Sequence, residues 1–174
     1  MILLLLFGKI DDEALFYLKN LLEKEFEKKV EVGKGFSVPE SAFNSNRGQY
    51  YATFLINSIM DRRELDRYER ILGIIDKDLY AAGLNFVFGE AGAKAAVISL
   101  TRLKPSYYGL PEDRRLFLMR AATEAVHELG HTFGLNHCAD SYCVMYFSNN
   151  IADTDRKGAQ FCERCRKRLK DLTS

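Results

Sequence analysis

The chain has 174 residues, 47% of them apolar, which is enough for one domain with a sizeable hydrophobic core. Its 25 basic and 24 acidic residues leave a net charge of +1, so it has no overall attraction to nucleic acid or to anionic membranes. The apolar run at residues 2–7 is too short for a membrane span and lacks the basic leader and cleavage site of a secretory signal. We therefore expect a cytoplasmic protein in a reducing compartment.

The N-terminal residues predict a strand, a helix and a second strand. The apolar run 2–7 is typical of a buried strand. Asp11 and Asp12 are placed to cap a helix that runs to about Lys29, with apolar residues at helical spacing. VEVGKGF, residues 30–36, then predicts a short strand.

The middle of the chain continues this alternation. Residues 47–70 predict a mainly helical segment, and ILGIID, residues 71–76, is a continuous apolar run of the kind found in strands covered on both faces. FVFG (86–89) and AAVISL (95–100) are two further strand candidates. Strands that alternate with helices indicate a mixed α/β domain built on a mostly parallel sheet. The helical segment carries its apolar side chains on one side: Tyr51, Phe54, Leu55 and Ile59.

A long helix is predicted next. Pro111 fits the first helical position, where a missing N–H costs nothing, and Glu112 and Asp113 complement the positive end of the helix. A broad apolar face continues to about Gly134, which gives a length of roughly 35 Å. Glycine, asparagine, aspartate and cysteine dominate the rest of the chain. We expect that tail to be irregular and to need something other than a core to hold it.

All three histidines of the chain lie within twelve residues, HELGHTFGLNHC. His127 and His131 are four residues apart, so a helix places both on one face with Glu128 beside them. A continuing helix would carry His137 roughly 9 Å further along and to another side. Gly134 can end the helix, because glycine tolerates the left-handed conformation, and the chain can then return His137 to the same ion.

Three neutral imidazoles around zinc leave one coordination position open, as in catalytic sites, and that position holds water. Zinc makes this water more acidic, and Glu128 is placed to take its proton and pass it to a leaving amine. The chemistry implied is hydrolysis of an amide bond. A bare HExxH string occurs by chance on many helices. The added glycine and third histidine, and the lack of any other histidine, favour a metal site.

The cysteines form a second group. Cys162 and Cys165 have the spacing of a zinc knuckle, and with Cys138 and Cys143 they complete a set of four thiolates that could close a structural zinc site. Such a site would attach the tail to the end of the long helix and fix His137, the neighbour of Cys138. Two disulfides or a redox CxxC are the alternatives, and the reducing compartment counts against disulfides.

Residues 127–165 resemble a known family. HELGHTFGLNH matches the extended zinc motif of the metzincin metallopeptidases, and HCADSYCVM followed by FCERC resembles the signature of the archaemetzincins. The resemblance implies a twisted, mostly parallel sheet with one antiparallel edge strand, which we assign to FVFG in preference to AAVISL. It makes Glu128 the general base and places Met145 in a tight turn beneath the metal. Residues 146–150 would wall the pocket for the substrate side chain just past the scissile bond. The catalytic zinc ligands that it implies are His127, His131 and His137.

The leading hypothesis is therefore a zinc-dependent peptidase that acts on peptides or unfolded segments and holds two zinc ions per chain, one catalytic and one structural. We expect a monomeric single domain over residues 1–174, with residues 1–134 containing the sheet and long helix and 135–174 the zinc-stapled subdomain. A non-catalytic module that binds a peptide or partner in the same cleft is the first alternative. A nucleic-acid binder that uses the basic stretch CERCRKRLKD is the second, although the near-neutral charge gives no reason to expect nucleic acid.

Overall fold

The protein is described here by a computed structural model that covers residues 1–173. The strands lie in the first hundred residues together with two α-helices, and a long helix and two short ones follow. In chain order the elements are β1 (Ile2–Phe7), α1 (Asp12–Phe26), β2 (Val30–Phe36), β3 (Phe43–Asn44), β4 (Gln49–Tyr51), α2 (Ala52–Met60), β5 (Arg70–Ile75), β6 (Leu79–Tyr80), β7 (Gly89–Ala91), β8 (Ala95–Ser99), α3 (Arg114–Thr132), α4 (Ile151–Lys157) and α5 (Glu163–Thr173).

The main sheet has the strand order β2-β1-β5-β8-β7, with the first four strands parallel and β7 antiparallel to β8 at the edge. Both faces are covered, so the inner strands are apolar throughout. In β1, for example, Ile2 and Leu4 join the core cluster with α1 and α3, whereas Leu3 and Leu5 join the cluster with α2. The prediction of a mixed α/β fold with a mostly parallel sheet and one antiparallel edge is confirmed.

A second, small sheet contains β3, β4 and β6, and it explains why the prediction for residues 47–70 was wrong over much of its length. Residues 49–51 form β4 and pair with Leu79 and Tyr80, so the helix begins only at Ala52 and ends at Met60. The polar residues that follow offer no apolar face to extend it. Pairing between distant segments has overridden local helical spacing here.

The first helix is capped as predicted, because the Asp11 side chain accepts a hydrogen bond from the Ala14 N–H. It ends at Phe26 rather than at about Lys29, since Glu27 adopts a left-handed conformation with φ of 53°.

The antiparallel edge strand is β7, so its assignment to FVFG was correct only at Gly89. Phe88 and Phe86 pack against the main core, and the Val87 N–H donates to the Leu79 carbonyl of the small sheet. FVFG is therefore the approach to the edge strand. Its apolar side chains serve packing, while the edge itself, Gly89–Ala91, has no apolar run that would mark it. AAVISL forms the inner strand β8.

The long helix α3 begins at Arg114, and the placement of Pro111 at its first position was wrong. The Asp113 side chain accepts a hydrogen bond from the Leu116 N–H and so provides the N-cap. Nineteen residues give a helix about 28 Å long, shorter than expected. The predicted end is confirmed, since α3 stops at Thr132 and Gly134 has φ of 93°.

The tail is more ordered than expected. Residues 133–150 have no regular structure, but α4 and α5 follow them. Helix α4 was not predicted because it is short and polar. Asn150 caps it, since the Asn150 side chain accepts a hydrogen bond from the Asp153 N–H. Within residues 1–173, no helix is long and apolar enough to cross a membrane. The expectation that the tail lacks core contacts was also wrong, because several of its side chains join the main core: Leu135, Val144, Met145, Phe161 and Leu169.

Candidate metal and active site

The three histidine side chains converge at the C-terminal end of α3. His127 and His131 lie one turn apart, with their Nε2 atoms 3.1 Å from each other. The ring of His137 lies 5.4 Å from that of His127 and 4.7 Å from that of His131, measured between centroids. One ligand atom from each residue lies within 4.8 Å of the others. The structure thus brings together all three histidines that the sequence singles out.

The return of His137 depends on the turn after α3. The Gly134 N–H donates to the His131 carbonyl, and the Leu135 N–H donates to the Gly130 carbonyl, 3.1 Å away. Gly134 can hold its positive φ because it has no Cβ. This turn reverses the chain, so that a residue six positions beyond His131 faces back toward it.

Hydrogen bonds orient the two helical imidazoles. His127 Nδ1 lies 2.7 Å from the Val144 carbonyl oxygen, and His131 Nδ1 lies 2.8 Å from the Leu135 carbonyl oxygen. Because a carbonyl oxygen only accepts, each Nδ1 must carry the hydrogen, which leaves both Nε2 atoms with lone pairs that face each other. Such a pair repels unless a cation lies between them. Their separation is near the roughly 3.3 Å between two nitrogen ligands of tetrahedral zinc, so these residues fit that ion.

The surroundings keep these imidazoles neutral, as metal binding requires. Burial lowers the pKa of His127 well below its ordinary value, and the nearby Lys157 ammonium lowers it further. Burial also lowers the pKa of His131 and of His137.

Glu128 lies between the long helix and the edge strand. A Cβ atom added at Gly89 would be 2.6 Å from Glu128 Cγ and 2.8 Å from the Val97 carbonyl oxygen, so only glycine allows the edge strand to approach this closely. Burial, with a contribution from the Glu124 carboxylate, raises the pKa of Glu128 well above its ordinary value. The sequence motif indicated Glu128, but it gave no sign of its contact with Gly89.

Two adjoining cavities open beside Glu128. A cleft of about 470 Å³ contains the three histidines and is bordered by the edge strand and Phe147. A pocket of about 240 Å³ begins at His127 and Glu128 and lies between residues 84–89 and residues 147–149. The segment that the resemblance assigned to a pocket wall therefore lines a pocket next to the histidines. Lys157 and Glu124, which no sequence signal indicated, also line this pocket.

The four cysteine thiols form a second cluster. Their Sγ atoms lie within 4.8 Å of one another, and none is in a disulfide. The Sγ atoms of Cys138 and Cys162 are 3.9 Å apart, close to the roughly 3.8 Å between thiolates around tetrahedral zinc. Burial would raise the pKa of Cys138, but the Asp140 backbone and the Arg164 guanidinium donate to the sulfur and lower this pKa to about 7. Burial raises the pKa of Cys143 and of Cys165, so it is the spacing of the four sulfur atoms that suits a bound cation.

The two clusters are joined through the turn that contains Met145. The Cys138 N–H donates to the Met145 carbonyl, 2.9 Å away, and Val144 accepts from His127 on the neighbouring peptide. A Cβ atom at Gly130 would lie 2.5 Å from Met145 Sδ, so the thioether packs directly against the helix backbone between the two histidines. The family resemblance placed Met145 in this turn, but nothing in the sequence indicated the role of Gly130, which lies inside the HExxH motif.

Comparison with known proteins gives a consistent result. The profile of peptidase family M54 matches residues 14–171. The archaemetzincin of Methanocaldococcus jannaschii is 41% identical over 94% of this chain and 89% of its own, and that of Pyrococcus abyssi is 41% identical over 99% and 96%. The crystal structure of archaemetzincin from Methanopyrus kandleri, 38% identical, superposes with a TM-score of 0.87 over 99% of this chain and 94% of its own.

A zinc-dependent peptidase from Methanocorpusculum labreanum superposes with a TM-score of 0.88 at 29% identity, covering 97% of this chain and all of its own. These relatives span nearly the full length of the chain, which includes both the histidine and the cysteine clusters. The chain therefore belongs to peptidase family M54, the family of the archaemetzincins, and is a zinc metallopeptidase.

Proposed function

We propose that this chain hydrolyses peptide bonds with a zinc ion held by His127, His131 and His137 and with Glu128 as the general base. The observation that supports this most strongly is the pair of unprotonated Nε2 atoms, 3.1 Å apart, with His137 beside them and an open cleft in front. Zinc bound there supplies Lewis-acid activation of a water molecule and of the peptide carbonyl.

Glu128 is suited to move the proton. Its carboxylate borders the cleft that contains the three histidines, which places it next to any molecule bound there. In the proposed reaction Glu128 accepts the proton of the attacking water and then gives it to the amine that leaves when the C–N bond breaks. The close approach of Gly89 leaves the Glu128 side chain little room to move, which supports this role.

The edge strand can hold the substrate in an extended conformation. The Phe88 carbonyl accepts from the Ser99 N–H, and the Gly92 N–H donates to the Ala95 carbonyl. In an antiparallel pair these bonds recur at alternate residues, so the backbone groups of Gly89 and Ala91 face away from β8, toward the cleft. A peptide could therefore add to the sheet as a further strand, with one side chain in the 240 Å³ pocket.

We further propose that Cys138, Cys143, Cys162 and Cys165 hold a second, structural zinc ion, which gives two ions per chain. The spacing of the thiols supports this, as does the position of Cys138 next to His137. The cysteine site would then support the histidine site by fixing the segment that carries its third ligand.

The test is hydrolysis of a peptide library by the zinc-loaded protein, with and without a chelator, in wild type and Glu128→Gln. Glu40→Gln is the matched control, because Glu40 is exposed and is far from Glu128 in the sequence. We expect cleavage by wild type and Glu40→Gln that the chelator abolishes, and none by Glu128→Gln. If Glu128→Gln cleaves the same peptides at the same rate as wild type, the proposed mechanism is wrong. Peptide binding without turnover would instead favour a non-catalytic module.

A further inference from the structure

A lysine side chain is completely buried behind the histidine site. Lys157, in the last turn of α4, has no exposed side-chain surface, and Glu124, on α3, has 3%. The Lys157 ammonium lies 3.4 Å from Glu124 Oε1. Buried lysines are rare, and a buried ion pair is often no more stable than the apolar residues that could replace it. This pair therefore requires an explanation other than stability.

The same ammonium reaches the wall of the pocket. Lys157 Nζ donates to the Tyr146 carbonyl, 3.2 Å away, which belongs to the segment directly after the Met145 turn. Thr154, also on α4, has its Oγ1 3.1 Å from Ser148 Oγ and donates to Glu124 Oε1 at 2.9 Å. Two links thus run from α4 to the segment 146–148, and Glu124 is a partner of both helical residues.

Glu124 is one helical turn before His127, so these links meet next to the first histidine. Lys157 Nζ is also 3.3 Å from His127 Nδ1, but that nitrogen already donates to the Val144 carbonyl at 2.7 Å. The ammonium is therefore packed beside the imidazole and is not bonded to it. Its hydrogen bonds hold the pocket wall at a fixed distance from His127.

We propose that Lys157 is a positioning residue that fixes the wall segment 146–149 relative to His127 and so sets the size of the substrate pocket. The proposal rests on the proposed function, because the 240 Å³ pocket is taken to receive a substrate side chain. Without the ammonium, the wall loses its bond to Lys157. It keeps its chain connection to Met145 and two weaker contacts with α4, those of Ser148 with Thr154 and of the Asn149 N–H with Asp153. Side chains that fill the pocket would then be held less firmly.

The experiment compares zinc-loaded wild type with Lys157→Met, Lys157→Arg and the double variant Glu124→Gln with Lys157→Met. Two quantities are measured: hydrogen exchange of the amides at residues 146–149, and KM and kcat for a peptide whose side chain fills the pocket. In Lys157→Met and the double variant, we expect amide exchange at residues 146–149 and KM both to rise about tenfold, as when one hydrogen bond from a charged donor is lost, with a smaller change in kcat. Lys157→Arg should restore both toward wild type.

Arg120→Met is the matched control. Arg120 also joins α3 to α4, through a two-point bond to Asp155, and its remaining hydrogen bond goes to the Leu103 carbonyl, away from residues 146–149. Arg120→Met should leave both the amide exchange at residues 146–149 and KM near their wild-type values. The double variant leaves no unpaired buried charge, so we expect it to be more stable than Lys157→Met. It still lacks the hydrogen bond from residue 157 to the wall segment, so any effect that persists in it comes from the lost bond and not from poor folding.

Wild-type exchange at residues 146–149 in the double variant would overturn the proposal, and so would an equal effect of Arg120→Met. If the wild-type chain cleaves no peptide, the proposed function fails, but the exchange measurement still decides the role of Lys157.

Discussion

The backbone of Gly130 lies against the thioether of Met145, so closely that a Cβ atom on Gly130 would be 2.5 Å from Met145 Sδ and 3.2 Å from its Cε. Gly130 is between the two helical histidines, and Met145 is in the turn whose neighbouring carbonyl orients His127. The absence of a side chain at residue 130 therefore lets the turn approach the helix from below the candidate metal site.

Gly130→Ala should disturb this contact. Alanine is a better helix former than glycine, but the clash with Met145 should outweigh that gain and lower the free energy of unfolding by about 1–3 kcal/mol. The displaced turn should also weaken zinc binding at the histidines. Urea denaturation and a zinc competition assay measure the two effects.

A second substitution tests whether the contact is the cause. Met145→Ala removes the atoms that the new Cβ meets, so Gly130→Ala should cost much less in that background. Simple additivity of the two substitutions would show that Gly130 acts through something other than Met145.

Gly89→Ala should reduce both catalysis and stability. The added Cβ would meet Glu128 Cγ at 2.6 Å and the backbone carbonyl oxygen of Val97 at 2.8 Å, so both Glu128 and the pairing of β7 with β8 must shift. A shift of about 1 Å in the proposed general base costs about a hundredfold in rate. Steady-state kinetics on a cleaved peptide should therefore show a large fall in kcat.

The control for Gly89→Ala is Gly35→Ala. Gly35 lies in β2, where a Cβ atom would make only ordinary contacts, the nearest at 3.6 Å. It should keep nearly full activity. If Gly89→Ala does the same, the contact with Glu128 does not matter for catalysis.

The sequence predicted the site better than it predicted the elements around it. His127, Glu128, His131 and His137 lie in one short segment, so their spacing and one glycine were enough to predict that they meet. The buried strands were found because an apolar run is a local signal. Helix α4 and strand β7 were not predicted, since a short polar helix and a three-residue edge strand show almost no periodicity in the sequence.

Contacts between distant segments could not be predicted from the sequence, for a different reason. From the sequence alone, Lys157 and Glu124 would be expected to be ordinary charged residues on helix surfaces, and Gly89 would be expected to lie in a turn. Their roles follow only when α4 packs on α3 and the edge strand meets Glu128. Nothing in their local sequence records those partners.

Cys165→Ser should remove the structural ion. Loss of one of four thiolates leaves an incomplete tetrahedron, and α5 would then be held by its apolar contacts and by the ion pair of Arg166 with Glu25. We expect one zinc fewer per chain and a fall in Tm of about 10 °C, which corresponds to a few kcal/mol in a chain of this size. Unchanged zinc content would show that these thiols do not hold a metal.

Glu128→Gln should stabilise the protein when the histidine site is free of metal, and more so at higher pH. Burial raises the pKa of Glu128 above its ordinary 4.5, so between these values the folded state keeps a proton that the unfolded chain has released. The free energy of unfolding of wild type therefore falls as pH rises through this range. Glutamine has no such proton.

Urea denaturation of both proteins from pH 5 to pH 8, after a weak chelator has stripped the histidine site, measures this difference. The increase of this difference in the free energy of unfolding with pH reports on Glu128 alone, because the histidines contribute equally to both proteins. A difference that stays constant with pH would mean that the Glu128 carboxyl is not held in its protonated form.

The central claim is that His127, His131 and His137 hold one zinc ion while the cysteines hold another. Native mass spectrometry of zinc-loaded protein after desalting tests it most directly, in wild type and in His131→Ala. The claim predicts two zinc ions in wild type, with the more weakly bound one absent from His131→Ala. A single ion in wild type, or two in His131→Ala, would contradict it.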